Sequence, residues 1–267
     1  MTVAGQSTVN YSYDDANHLI QMSQGTVTVT LAYDEAGRRT LLGLPNGVTT
    51  EYSCDAASQL TGLTYKHGAN VLGNLTYTYD AAGRRTQIGG TYARTGLPRT
   101  VTSATYNAAN QQTNFGGQSV TYDLNGNLTS DGINTYTWNA RNQLISMTGP
   151  LAASFFYDAF GARISKTINS ATTSYLYDGA NVVQELAGNN PTASILAGGL
   201  DEVFTRADSA GIWSPLVDAV GSTSALTDSS GVVQTEYGYE PFGNTTITGA
   251  ANGNPLQYTS RENHHEY

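Results

Sequence analysis

The chain has 267 residues and a net charge of −9, from 12 Lys and Arg against 21 Asp and Glu. With only two lysines, Lys66 and Lys166, it carries no basic stripe for a phosphate backbone, which argues against nucleic acid as a partner. A mean hydropathy of −0.31 and no apolar run near the roughly 18 residues of a membrane helix argue against a helical span. The opening Met1-Thr2-Val3-Ala4-Gly5-Gln6 also lacks the basic and apolar regions of a signal peptide.

From the N-terminus onward the chain repeats one phrase: a strand-forming residue, then Asp or Asn, two variable residues, and Gly or Asn. The units open at positions 14, 34, 55, 80, 107, 123, 139, 158, 178, 208, 218, 228 and 240, and depart from the pattern only at Glu240 and at Ser58. The clearest pair Asp34 with Gly37 after Tyr33, Asp80 with Gly83 after Tyr79, Asp123 with Gly126 after Tyr122, and Asp158 with Gly161 after Tyr157. Looser copies follow Tyr13, Cys54, Tyr106, Trp138, Tyr177 and Tyr239. A carboxylate or amide that opens a turn accepts hydrogen bonds from backbone N–H groups two or three residues on. The fourth residue closes the turn at positive φ, where Gly and then Asn fit with least strain. Each unit therefore predicts a hairpin tip between antiparallel strands, with the preceding tyrosine ending the incoming strand.

Up to Tyr177 the interval is about 20 residues, the spacing of a repeat architecture. Most intervals hold a second turn signal: Pro45-Asn46-Gly47, Gly89-Gly90, Gly116-Gly117, Asp131-Gly132, Gly149-Pro150 or Asn189-Asn190-Pro191. Nearer the C-terminus this midway turn drops out, and Asp208 with Gly211, Asp218 with Gly221 and Asp228 with Gly231 recur every ten residues. The expected organisation is repeats over 1–190 and denser repeats over 191–267, in one continuous β-structure. Alternation supports strands: Leu75, Tyr77 and Tyr79 share one face with Thr76 and Thr78 on the other, and Val233, Thr235, Tyr237 and Tyr239 repeat the pattern. No window sustains an apolar stripe of helical period, so almost no helix is expected.

The acidic turn positions do not read as a calcium-binding repeat, because acids such as Asp80, Asp123 and Asp158 are followed by Ala, Leu or Phe where further oxygen ligands would be needed. Cys54, the only cysteine, stands in the tyrosine position of its repeat as a small strand residue. The histidines are His18, His67, His264 and His265; the last two lack a third well-spaced ligand, and no metal site is expected. No Gly-x-Ser-x-Gly elbow, Walker loop or strand-to-helix glycine fingerprint occurs, so neither catalytic residues nor a cofactor is expected. Tyr-rich strands offer ring faces on which sugars could stack, with Trp138 and Trp213 the candidate glycan contacts. The plainer reading of a tyrosine at a regular strand position is cross-strand packing with its hydroxyl at the wet edge.

The recurring Tyr-Asp-x-x-Gly-Arg, as in Tyr33-Asp34-Glu35-Ala36-Gly37-Arg38 and Tyr79-Asp80-Ala81-Ala82-Gly83-Arg84, resembles the YD repeat of the bacterial Rhs (rearrangement hotspot) family. The stretch Tyr239-Glu240-Pro241-Phe242-Gly243-Asn244-Thr245 and the later Asn254-Pro255-Leu256-Gln257-Tyr258-Thr259-Ser260-Arg261-Glu262-Asn263 are similar to that family's passage into its Rhs-associated core. The resemblance covers nearly the whole chain. It implies an all-β antiparallel meander, curved or spiralling as part of a hollow shell, which encloses a C-terminal toxin in a secreted, delivered or cell-surface setting. Ser260 stands where the family usually has Gly, and Glu240 where Asp precedes Pro-Phe-Gly. The family's Arg-Ala-Arg-Tyr-Tyr-like strand and Asp-Pro cleavage motif do not occur in this sequence, so no catalytic residue carries over. The expected role is a non-catalytic β-scaffold, with a polypeptide cargo or other shell repeats as partner and self-association through edge strands. The alternative is a cell-surface module that binds glycans.

Overall fold

The computed structural model describes residues 3, 5–98 and 100–262; His264 and His265 lie outside the described residues. Among those described there is no α-helix: strands follow one another through turns, with one short 3-10 turn at Tyr258–Ser260. None forms a helix long and apolar enough to cross a membrane. Sequential strands pair antiparallel in chain order with no crossover, the meander that the repeated turns predict.

The strands form three sheets. The first contains β1 (Val9–Tyr13), β2 (Leu19–Gln24), β3 (Val27–Tyr33), β4 (Arg39–Gly43), β5 (Val48–Cys54), β6 (Leu60–His67), β7 (Asn70–Tyr79) and β8 (Arg85–Gly89). The second holds β9 (Ala104–Tyr106), β10 (Gln112–Phe115) and β11 (Gln118–Ser119). The third begins with β12 (Thr121–Tyr122), β13 (Leu128–Ser130), β14 (Thr135–Trp138), β15 (Leu144–Thr148), β16 (Ala153–Tyr157), β17 (Arg163–Ile168), β18 (Ala171–Asp178) and β19 (Asn181–Ala187). It continues through β20 (Asn190–Ala197), β21 (Val203–Asp208), β22 (Gly211–Val217), β23 (Thr223–Thr227), β24 (Val233–Tyr239) and β25 (Thr245–Gly249).

A single ladder is expected from the repeats, and Gly90 shows why it breaks after β8. At φ +103 this residue turns the chain so close to Asn74 that a Cβ would lie 2.3 Å from the Asn74 carbonyl oxygen. Gly89-Gly90 is therefore an exit from the sheet and not a midway hairpin. The midway hairpins that do form between β2 and β3 and between β6 and β7 use single glycines, Gly25 (φ +60) and Gly68 (φ +59).

By contacts the chain makes two compact units, one from the described residues up to 97 and from 195 to 262, the other from 98–194. The first unit gathers Val29, Val48, Leu63, Tyr65, Leu75, Leu216 and Ala225 into one core, each at most 2% exposed. Long-range bonds tie its early strands to its late ones. Tyr65 donates to the Val217 carbonyl at 2.6 Å, Ala219 N–H donates to the Tyr77 hydroxyl at 3.1 Å, and Asn46 Nδ2 reaches Thr227 Oγ1 and the Asp228 carbonyl at 2.9 and 2.7 Å. The Arg39 guanidinium pairs with the Glu202 carboxylate. The second unit's core is smaller: Met147, Leu151, Ala153 and Phe155, flanked by Tyr136, Leu144, Tyr157 and Ile168.

Candidate functional site

The repeated turn is the feature through which this sequence acts on its own backbone. At eleven of the thirteen units the fourth residue is left-handed, including Gly37 (φ +74), Gly83 (φ +77), Gly126 (φ +84), Gly161 (φ +93), Gly221 (φ +82) and Gly231 (φ +75), and even Ser58 (φ +63). The remaining two are tighter than the repeat predicts. Asp178 pairs directly with Asn181, and Asp208 with Gly211, giving two-residue hairpins. The reason at Asp178 is Gly179, which takes the left-handed conformation (φ +59) two positions early.

The opening carboxylate accepts from N–H groups two and four residues on, where two and three are expected. Ala36 and Arg38 donate to Asp34 Oδ1 at 3.0 and 2.9 Å, and Ala82 and Arg84 to Asp80 Oδ1 at the same distances. Asp123, Asp158, Asp218 and Asp228 repeat this arrangement. The intervening glycine N–H instead donates to the opening residue's own carbonyl, as Gly37 does to Asp34 at 2.9 Å. The extra residue in the turn appears in the ladder as a one-residue register shift at the tyrosine, as between Ala32 and Tyr33 or Thr78 and Tyr79.

A fifth position, absent from the four-residue phrase, completes the turn. Arg38 Nε and Arg84 Nε donate to the second oxygens of Asp34 and Asp80, both at 2.7 Å, and Asn127 Nδ2 donates to Asp123 at 2.9 Å. Where Asn opens the turn, the fifth residue is Gln: Asn107 Nδ2 donates to Gln111 Oε1 and Asn139 Nδ2 to Gln143 Oε1, both at 2.8 Å. In these five turns an acid is matched with a donor and an amide N–H with an acceptor at a spacing of four, whereas Asp158 and Asp228 have Ala162 and Val232 there. The Arg38 and Arg84 backbone N–H groups foremost hold the carboxyls of Asp34 and Asp80 below the usual range, and the Asn127 side chain does so for Asp123. Asp218 differs, because its burial pushes its pKa up.

At five turns the preceding tyrosine reaches back to an earlier repeat. Tyr33 donates to the Leu19 carbonyl at 3.1 Å, Tyr79 to Leu60 at 2.8 Å, Tyr157 to Leu144 at 2.9 Å, Tyr177 to Arg163 at 2.9 Å and Tyr239 to Thr223 at 2.6 Å. Trp138 does the same through its indole N–H, to Leu128 at 2.7 Å. Each acceptor stands five residues after the Asp or Asn that opens an earlier turn, beside the register shift that disrupts the ladder. These five hydroxyls, placed at the wet edge by the sequence reading, are therefore half-buried and bonded, because a carbonyl beside a bulge needs a donor, whereas Tyr13 and Tyr106 are exposed.

Of the two candidate glycan contacts, Trp138 on β14 occupies a repeat-tyrosine position. Trp213 on β22 faces Arg206 across the ladder, and its buried indole N–H has no partner among the described residues. Residues of the family-like core stretch come together in the first unit. The Tyr258 hydroxyl donates to the Pro241 carbonyl at 3.2 Å, and a Cβ on Gly243 (φ +90) would lie 2.9 Å from the Tyr258 ring. Ser260 Oγ donates to the Gly221 carbonyl at 2.7 Å; its φ of +55 explains why glycine suits that position. Asn244 accepts from the Glu240 N–H, Arg261 pairs with Asp201 at 3.2 Å, Glu262 bridges to Leu256, and Phe242 is 84% exposed at its turn tip. His18 stacks on Tyr33, His67 lies against Gly47 and Gly231, and Cys54 is a free thiol ending β5. Among the described residues no three His, Cys, Asp or Glu side chains are grouped to hold a metal.

The Teneurin YD-shell family matches residues 45–260, most of the chain. The chain belongs to this YD-shell family, of the Rhs and YD-repeat type. It is 33% identical, over 92% of its length, to the tRNA3(Ser)-specific nuclease WapA of Bacillus spizizenii and likewise to the tRNA nuclease WapA of Bacillus subtilis. It spans 12% and 13% of those proteins. The Photorhabdus luminescens Tc holotoxin pore matches 97% of the chain with a TM-score of 0.64 at 15% identity. TcdB2-TccC3 without its hypervariable C-terminal region matches 95% with a TM-score of 0.66 at 17% identity. The YD-shell chain covers 19% and 18% of those two, which share its all-β meander.

Proposed function

We propose that this YD-shell chain is a non-catalytic scaffold segment whose whole protein encloses or displays another polypeptide. The observation that carries the reading is the turn chemistry: turn side chains such as Asp34, Arg38, Asp80, Arg84, Tyr79 and Tyr157 are engaged with the chain's own backbone and with one another. The names of the relatives, tRNA nucleases and toxin components, suggest a toxic cargo. Their activities belong to proteins far longer than this chain.

Two experiments test the proposal. In a whole shell protein carrying this segment, opening two turns by Gly83→Val and Gly161→Val should expose the enclosed polypeptide to protease, and unchanged protection would refute enclosure. The isolated chain should keep its intact mass on prolonged incubation and should give no saturable change in tryptophan fluorescence with glycans. A saturable signal from Trp138 or Trp213 would favour the adhesion module instead.

A further inference from the structure

We propose that a single buried water molecule is bound in the first unit where residues 254–260 lie against β21 to β23, accepting from the Trp213 indole N–H and donating to the side-chain oxygens of Thr223 and Ser260. The Trp213 Nε1–H is buried and finds no acceptor among the described residues. A buried donor of this kind bears its full desolvation cost unless something accepts from it. The other tryptophan shows the contrast, since Trp138 gives its N–H to the Leu128 carbonyl at 2.7 Å. Beside Trp213 lies a cavity of about 20 Å³, lined also by Arg206, Thr223, Asn254, Leu256 and Ser260. One water needs roughly 10–15 Å³ and two to four polar partners, whereas organic ligands occupy pockets of about 300 Å³ and more. The volume therefore suits one water and excludes a sugar.

The hydrogen-bond chemistry of the lining selects water over an ion. The hydroxyl protons of Thr223 and Ser260 are already given to the carbonyls of Leu256 and Gly221, at 2.8 and 2.7 Å, and Asn254 Nδ2 donates to the Leu256 carbonyl at 2.7 Å. Thr223 and Ser260 therefore have lone pairs to offer and no protons. A guest must accept from the indole and donate to these oxygens at once, which water does and a halide ion does not. Charge does not favour an anion either: Arg206, which faces Trp213 across the ladder, lies 3.4 Å from the Asp208 carboxylate, and the two side chains are 13% and 11% exposed. The water joins β22 to the returning segment, whose direct bonds to Gly221, Ser222 and Thr223 hold it at the start of β23. It is a part of the fold, and its presence does not depend on whether the whole protein encloses a cargo.

The test is nuclear magnetic resonance on the isotope-labelled chain, whose two tryptophans give two indole N–H signals. The Trp213 signal is identified by its loss in Trp213→Phe or its survival in Trp138→Phe. It should show direct cross-relaxation with water, of the sign that marks a molecule held longer than the protein takes to tumble, and the Trp138 signal should show none. Titration with sodium chloride should leave the Trp213 signal in place. Trp213→Phe, Ser260→Ala and the double variant are then compared by thermal unfolding. Because both side chains hold the same water, the double variant should lose about 2–4 °C less than the sum of the two single losses. Absence of the water contact at Trp213, an equal contact at Trp138, or additive losses would each overturn the proposal. A saturable chloride-dependent shift of the Trp213 signal would also overturn it, by assigning the cavity to an anion. The water contact is read on the unaltered chain, so a variant that does not fold leaves the test intact.

Discussion

At Gly83 an added Cβ would meet only Gln59 Nε2, at 3.1 Å, so substitution there strains the backbone more than the packing. Gly83→Val should cost about 1–2 kcal/mol in urea denaturation, and Gly83→Asn less, because only the left-handed conformation is at stake. Tyr79→Phe should cost about 1 kcal/mol by removing the donor from the Leu60 carbonyl. The carboxylates carry a pH dependence of fixed sign. Asp34, Asp80 and Asp123 have folded pKa values lowered below their unfolded ones, so their contribution is complete above about pH 4 and is lost as pH falls through the folded values. At Asp131 burial opposes ionisation, but bonds from the Asn134 N–H, the Tyr136 hydroxyl and the Ile133 N–H outweigh it and bring the pKa to about 2. Asp218, raised by burial, works the other way: its contribution is present at low pH and lost as pH rises through its folded value. Denaturation at pH 7 and pH 2.5 should therefore show a loss on acidification that Asp80→Asn shrinks and Asp218→Asn enlarges.

Strands such as β7 are legible from sequence because their pattern is local: Leu75 and Tyr77 are buried, while Thr76 and Thr78 face out. The same holds for turn tips, where one acid and one left-handed residue suffice. A further local mark goes unnoticed in a four-residue reading, namely threonines eight apart across a turn. Their hydroxyls meet at 3.1 Å for Thr78 and Thr86, 3.0 Å for Thr105 and Thr113, and 2.8 Å for Thr121 and Thr129. What is not legible depends on a neighbouring strand. The break at Gly90 is set by the Asn74 carbonyl, and the destination of each tyrosine hydroxyl by a bulge about one repeat away. Packing across elements follows the same division, since the alternation marks Leu63 on β6 as inward without saying what it meets. Leu63 shares a core with Leu216 and Ala225, and Leu63→Ala should cost about 2–5 kcal/mol, measured by thermal or urea unfolding.

For the whole molecule, the turn rhythm changes near residue 190, whereas the compact units divide at 97–98 and within β20. Rhythm counts turns, and units follow which apolar faces are shared. The second unit's small core predicts that native-state hydrogen exchange is faster over 98–194 than in β5 to β7, and that Phe155→Ala accelerates it there while leaving β5 to β7 unchanged. The first unit joins the two ends of the chain, with Arg39 meeting Glu202 across 163 residues and Asn46 meeting Asp228 across 182. On a ribosome adding about 5–20 residues per second, β1 to β8 emerge on the order of ten seconds before the strands that share their core. During that interval Leu63 and Leu75 lack their late partners, so a nascent chain of this design is a natural client for holding chaperones, and slowed translation between β8 and β21 would prolong its exposure to aggregation.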